Sequence, residues 1–301
     1  MRTDPLENTT ITLAMAVTSS ANTIFLIDCL SAEDLQTARR RHEGICDELM
    51  SLPQSGFQAD TSRVVHLRCQ TREDWDKGLN KIRDVCKNGL SPLLFIDGHG
   101  DERRGLLMPS GESVSWEIYL RDLRAITYAA RGELTVIAAF CYSLAVKPML
   151  KGKKEKLPFA FYFGYANEIS AGIVEKETKI LYESLLRNGG ETLQDEVLEL
   201  SCFDEYEHAI DAIAHVVMME TAPRTLVAID PRFSRAKLRA KVGRDLAADG
   251  VKMAGYGKAI NKAIRNPKAL AMKLIEDVMH DTDRRRDFIR NLHKEMRRRT
   301  V

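Results

Sequence analysis

Short apolar runs alternate with longer stretches of helical period along the chain from about residue 23. The runs are TIFLID (23–28), RVVHLR (63–68), PLLFID (92–97), LTVIAAF (134–140) and FAFYFG (159–164), with TLVAID (225–230) as a candidate sixth. This alternation predicts βαβ units around a mostly parallel sheet. Between the first two runs lies SAEDLQTARRRHEGICDELMS, where Ser31 followed by acidic residues predicts a helix start. Between the second and third lies TREDWDKGLNKIRDVCKNG, opened by Thr71 with Glu73 and Asp74 and closed near Gly89. Each predicts a crossover helix.

The connection from the third run to the fourth is longer. GHGDERRGLLMPSGESVS predicts a small hairpin near a strand end, where loops tend to carry function. WEIYLRDLRAITYAARG follows, with Trp116, Leu120, Leu123 and Ile126 at helical spacing. After Gly164 the pattern predicts a loop and an amphipathic helix ending at Gly189, and residues 193 to 220 continue the helical pattern. The tail from residue 231 is rich in Lys, Arg and Ala, with no strand pattern. ITLAMAV (11–17) is too short for a membrane span, which needs roughly 20 apolar residues, and it lacks the basic flank of a secretory signal. It is expected to be a strand or buried edge.

Composition adds three points. At 301 residues, 44% hydrophobic and 29% charged, the chain is expected to be a soluble globular protein with a sizeable core. The cysteines (Cys29, Cys46, Cys69, Cys86, Cys141, Cys202) are scattered without a CxxC pair, which fits a reducing cytoplasm. Finally, the net charge of +2 conceals an asymmetry: residues 231 to 301 hold 20 Lys/Arg against 8 Asp/Glu, while the first 230 hold 25 against 35. The two parts therefore carry +12 and −10. The division suggests a domain over 1–230 and a basic, mainly helical extension over 231–301.

The candidate chemistry lies at two strand ends. In a doubly wound sheet, functional groups collect at the carboxyl ends of the strands. His99 follows the third run, between Gly98 and Gly100, and Cys141 follows the fourth in VIAAFCYS. If those strands are neighbours, as consecutive βαβ strands usually are, the two side chains emerge at one edge. A thiolate is a nucleophile, and an adjacent imidazole can take its proton. Gly100 would let backbone approach a substrate carbonyl, so that its N–H and that of Cys141 could bind an oxyanion.

At these residues the chain resembles the caspase-like cysteine peptidases, which include caspases, metacaspases, separases and the bacterial caspase-like and CHAT-type proteins. In that family a strand ends in His-Gly, a hairpin and helix follow, and the next strand ends in the nucleophilic Cys. His99-Gly100 and Cys141 match in order, and their separation of 42 residues is close to the roughly 50 of caspases. The resemblance covers about residues 20 to 190. It implies a caspase-like doubly wound, mostly parallel sheet with helices on both faces. It also implies a cysteine endopeptidase, with His99 and Cys141 as catalytic dyad and the Gly100 and Cys141 amides as oxyanion hole. The protein or peptide substrate would be cut without metal or cofactor. Bacterial members often act as regulated effectors in anti-phage defence or programmed cell death, released by a partner or a small signalling molecule. The caspase signature around the nucleophile is Q-A-C-[RQG]-G, whereas this chain has Ala139-Phe140-Cys141-Tyr142-Ser143, so no cleavage preference carries over.

Asp101, Glu102, Asn167 and Glu168 are polar candidates for substrate contacts, with solvated loop positions as the alternative. His42 and Cys46 stand at i, i+4, and His208, Asp211 and His215 share a helical face; neither set has the further ligands of a metal site, and none is expected. GYGKAINKAIR (255–265) lacks the phosphate-loop pattern. The basic tail could bind nucleic acid, but its few aromatic residues (Phe233, Tyr256, Phe288) favour docking on an acidic protein surface instead. No membrane partner is expected. Two functions other than peptidase remain open: a catalytically silent scaffold on the same fold, and nucleic-acid binding through the tail.

Overall fold

The computed structural model describes residues 19–52, 63–150, 153, 155–191, 198–221 and 266–299. Five strands run parallel: β1 (Thr23–Asp28), β2 (Val64–Arg68), β3 (Pro92–Asp97), β7 (Thr135–Ala139) and β8 (Phe161–Gly164). β9 (Ser201–Asp204) closes one edge antiparallel to β8, in the order β2-β1-β3-β7-β8-β9. Every residue of β1, β3 and β7 is buried, which is why these strands read as unbroken apolar runs. β2, at the other edge, buries Val64 and then alternates half-buried and exposed positions.

Crossover helices cover both faces. α2 (Arg72–Lys87) packs on α3 (Trp116–Ala129), and their Trp75, Leu79, Tyr119 and Leu123 share a core with Phe25, Ile27, Leu94, Ile96, Val136 and Ala138. Those sheet residues alternate along their strands, so they define one face. On the other, α1 (Thr37–Ser51) packs on α5 (Ala171–Arg187). There the Phe95 ring meets Tyr182 edge-on at 6.3 Å and lies under the Arg41 guanidinium at 5.4 Å.

Between β3 and α3 the expected hairpin forms a separate three-stranded antiparallel sheet: β4 (His99–Asp101), β5 (Gly105–Leu107) and β6 (Ser113–Val114). After β7 come a 3₁₀ turn (Ser143–Ala145) and the short α4 (Val146–Leu150). α6 (Glu205–Thr221), α7 (Pro267–Val278) and α8 (Asp283–Arg299) complete the described chain. The described residues form two compact units. One runs to Glu207 and includes His280–Thr282; the other takes α6 from His208 together with α7 and α8, which pack on each other. ITLAMAV, TLVAID, GYGKAINKAIR and the expected boundary at Asp230 lie outside the described residues.

Helix starts separate good predictions from a wrong one. Thr71 opens α2 with a reciprocal cap: its hydroxyl accepts the Asp74 N–H at 3.1 Å, and the Asp74 carboxylate accepts the Thr71 N–H at 3.0 Å. Ser31, by contrast, does not cap α1, which begins at Thr37. Ser31 donates its N–H to Asp34 Oδ2 at 2.8 Å, and Gln36 Nε2 donates to the Ser31 and Asp34 carbonyls at 3.0 and 2.9 Å. Such local bonds compete with helix and hold a turn. A second correction concerns 193–220, expected to be helical throughout: Ser201–Asp204 is the antiparallel strand β9.

One buried ion pair joins three elements at the carboxyl end of the sheet. Arg41 of α1 is paired with Asp97, the last residue of β3, and both side chains are almost wholly enclosed. Thr37 Oγ1 donates to Asp97 Oδ1 at 3.1 Å, and the Arg41 guanidinium donates to Thr178 Oγ1 of α5 at 2.9 Å. Arg41→Met would strand a buried carboxylate, which typically costs about 3–5 kcal/mol. Urea unfolding should show that loss, with much of the stability restored in the Arg41→Met/Asp97→Leu double variant; an unchanged midpoint in Arg41→Met would contradict this account.

Candidate active site

The strand order reverses between β1 and β3, because β2 lies beyond β1 on one side while β7 and β8 continue on the other. Loops leaving the carboxyl ends at such a point open a crevice. Four of them meet here, after β1, β3, β7 and β8.

β3 ends at Asp97, and Gly98 leads directly into His99, the first residue of β4. The glycines on either side of His99 are required by close approach. A Cβ on Gly98 would lie 2.8 Å from Leu106 Cδ1 and 3.2 Å from Cys29 Cβ. A Cβ on Gly100 would overlap the Cys141 carbonyl oxygen and lie 2.7 Å from Phe140 Cδ2. The backbone after His99 is therefore pressed against the backbone of Cys141, the neighbour that the sequence suggested.

β7 ends at Ala139, and Phe140 turns inward to stack on Trp116, with ring centroids 6.2 Å apart. Cys141 follows on the other side of the chain and is partly exposed. Tyr142 then takes a left-handed conformation with φ of 56°, which costs a non-glycine residue about 1–3 kcal/mol. Two bonds hold this turn: the Tyr142 N–H donates to the Asn167 carbonyl at 3.2 Å, and the Tyr165 N–H donates to Ser143 Oγ at 2.8 Å. The Cys141 sulfur lies against Ile169, whose N–H is 3.4 Å and carbonyl oxygen 3.5 Å from Sγ.

His99 and Cys141 line one cavity of about 190 Å³, together with Asp34. His99 Nε2 is 3.0 Å from Asp34 Oδ1, while Asp34 Oδ2 accepts the Ser31 N–H at 2.8 Å. Donation from Nε2–H to the carboxylate leaves Nδ1 as the nitrogen able to take a proton. Partial burial pushes the Asp34 carboxyl up, but the Ser31 N–H and the His99 ring outweigh it and hold the group below its usual value. The carboxylate thus fixes the ring from the side, a supporting role that sequence reasoning missed. Asp34 belongs to the segment read there as a helix start, and nothing in its spacing from His99 marks the contact.

The other polar candidates fall elsewhere. Asp101 accepts the Arg103 and Arg104 N–H groups at 2.9 and 2.7 Å, which closes the hairpin turn. Glu102 offers its carbonyl to Trp116 Nε1 at 2.9 Å, and Asn167 offers its carbonyl to Tyr142. None of Asp101, Glu102, Asn167 or Glu168 lines the cavity. Cys46 Sγ and His42 Nε2 are 4.0 Å apart, and no group of three or more metal-ligating side chains occurs among the described residues. His208 and Asp211 lie on α6 in the other unit. A larger cavity of about 500 Å³ lies between α2 and α3 around Asp76, Arg83, Arg121 and Asp122, and it contains no nucleophile.

The thiols also differ electrostatically. The Cys69 side chain and burial push Cys29 well up; burial pushes Cys86 up to about 12 and raises Cys46 and Cys202 as well. These four are held as neutral thiols. No protein-family model and no curated protein matches this chain. No helix among the described residues is long and apolar enough to cross a membrane.

Because the Asp34 carboxyl is lowered by folding, its contribution to stability is present above the unfolded value of about 3.9 and is lost as pH falls through the lower folded value. Asp34→Asn should therefore be less stable than the parent at pH 5, with the difference shrinking towards pH 3. Thermal unfolding across that range checks the sign, and a difference that grows on acidification would contradict it.

Proposed function

We propose that the chain is a cysteine endopeptidase of caspase-like type, with Cys141 as nucleophile and His99 as proton carrier. One observation carries the proposal: His99 and Cys141 line the same cavity at the ends of neighbouring strands β3 and β7, and the imidazole is held by a carboxylate. Cys29, Cys69 and Cys86 are buried, whereas Cys141 is partly exposed at this cavity.

The chemistry follows from these groups. As Sγ attacks the scissile carbonyl carbon, a C–S bond forms and the thiol proton passes to His99 Nδ1. The resulting imidazolium is stabilised by Asp34, and the oxyanion is received by the Gly100 and Cys141 amides. Collapse breaks the C–N bond as His99 returns the proton to the leaving amine. Water then attacks the thioester, giving one proton to His99, and the acid leaves as the sulfur recovers its proton. In this scheme Asp34 is a positioning residue.

The family resemblance extends the proposal to a cytoplasmic effector whose activity is released by a partner or small signal. The basic extension would then be a place for such a partner, although residues 222–265 lie outside the described structure.

Hydrolysis of an unfolded protein such as casein tests the activity. Cys141→Ala should abolish it, and His99→Ala should lower it by about 10²–10⁴-fold, the usual contribution of a positioned acid–base group. Wild-type rates from Cys141→Ala would refute the assignment. A parent protein that, even with candidate activators present, neither hydrolyses protein nor reacts selectively at Cys141 would instead point to the silent scaffold.

A further inference from the structure

The cavity beside Cys141 has a composition that bears on what enters it. Its walls include Leu30, Leu35, Ala139, Phe140, Ile169 and Val174, and its one carboxylate, Asp34, is already hydrogen-bonded. Both Asp34 oxygens are used, one by His99 and one by Ser31. Thr37 donates its hydroxyl to Asp97, and Asp97 is closed off by Arg41. An acidic substrate side chain would find no Lys or Arg among the lining residues and would lose water on entry, which is costly without a partner, and a basic one would have to compete with His99 and Ser31 for Asp34.

Size and rim point the same way. A volume of about 190 Å³ is below the roughly 300–1,000 Å³ of small-molecule sites, but it suits one side chain of a longer substrate. Of the large hydrophobic side chains exposed among the described residues, Leu35, 61% exposed, contributes to its wall.

We infer that the Cys141 site selects an aliphatic residue, of leucine or methionine size, immediately before the scissile bond. This rests on the assignment of Cys141 as nucleophile. The substrate is an extended peptide segment that presents this side chain to the cavity, with Leu35 at its wall.

A set of peptidyl chloromethyl ketones that differ only in the residue next to the electrophile, Leu, Asp, Arg or Gly, tests it. In each reaction Sγ displaces chloride to form a thioether, so labelling at Cys141 is read by peptide mass mapping of the full-length chain. The Leu reagent should label Cys141 at least about tenfold faster than the Asp or Arg reagent, in line with the discrimination of apolar pockets. Leu35→Ala shortens an exposed side chain of the cavity wall, and should reduce the Leu reagent's lead over the Gly reagent about tenfold. Equal or faster labelling by the Asp or Arg reagent overturns the aliphatic preference and leaves Cys141 as nucleophile; an Arg preference would mean that Asp34 leaves His99 to bind substrate. If no reagent, Gly included, labels Cys141 faster than Cys46, the peptidase assignment itself falls.

Discussion

Arg41 and Asp97 meet inside the protein, and the candidate site is assembled around their contact. Asp97 ends β3 two residues before His99; Arg41 belongs to α1, whose first turn follows the Asp34 loop; Thr178, bonded to Arg41, lies on α5, whose first turns form another wall of the cavity. A buried pair of this kind adds little net stability, because desolvation offsets its attraction. Its cost when broken is what matters. With both partners enclosed, α1, β3 and α5 have few alternative placements, and Asp34 is delivered to His99 as a consequence.

A second constraint acts between strands. Gly100 lies so close to the Cys141 carbonyl that a single methyl at residue 100 would overlap it. Phe140 anchors the same segment from below through Trp116, while Ile169 contacts the sulfur from the opposite loop. Imidazole and thiol are thus brought to one cavity by backbone packing, before any substrate is present.

Much of this was legible in the chain, for physical reasons that differ by element. TIFLID and PLLFID became strands with those bounds, because a strand buried on both faces has no polar position to blur it. Thr71 announced α2, since its partner Asp74 is three residues away and the cap is local. SCFD, which forms β9, was hidden: four residues at a sheet edge, directly before a helix, carry too little periodicity to stand out. The Ser31 segment misled because Ser and acids serve a turn as well as a helix start. His99 and Cys141 could be paired from strand order, whereas Asp34, 65 residues from His99, needed the fold.

In the proposed dyad His99 and Cys141 work as one unit. The most direct measurement is the rate of Cys141 alkylation by iodoacetamide between pH 5 and 10, followed on the Cys141 peptide in the parent protein and in His99→Ala. Removing the imidazole should change the shape of the Cys141 profile while those of the other five cysteines superimpose. Superimposable Cys141 profiles would contradict the dyad.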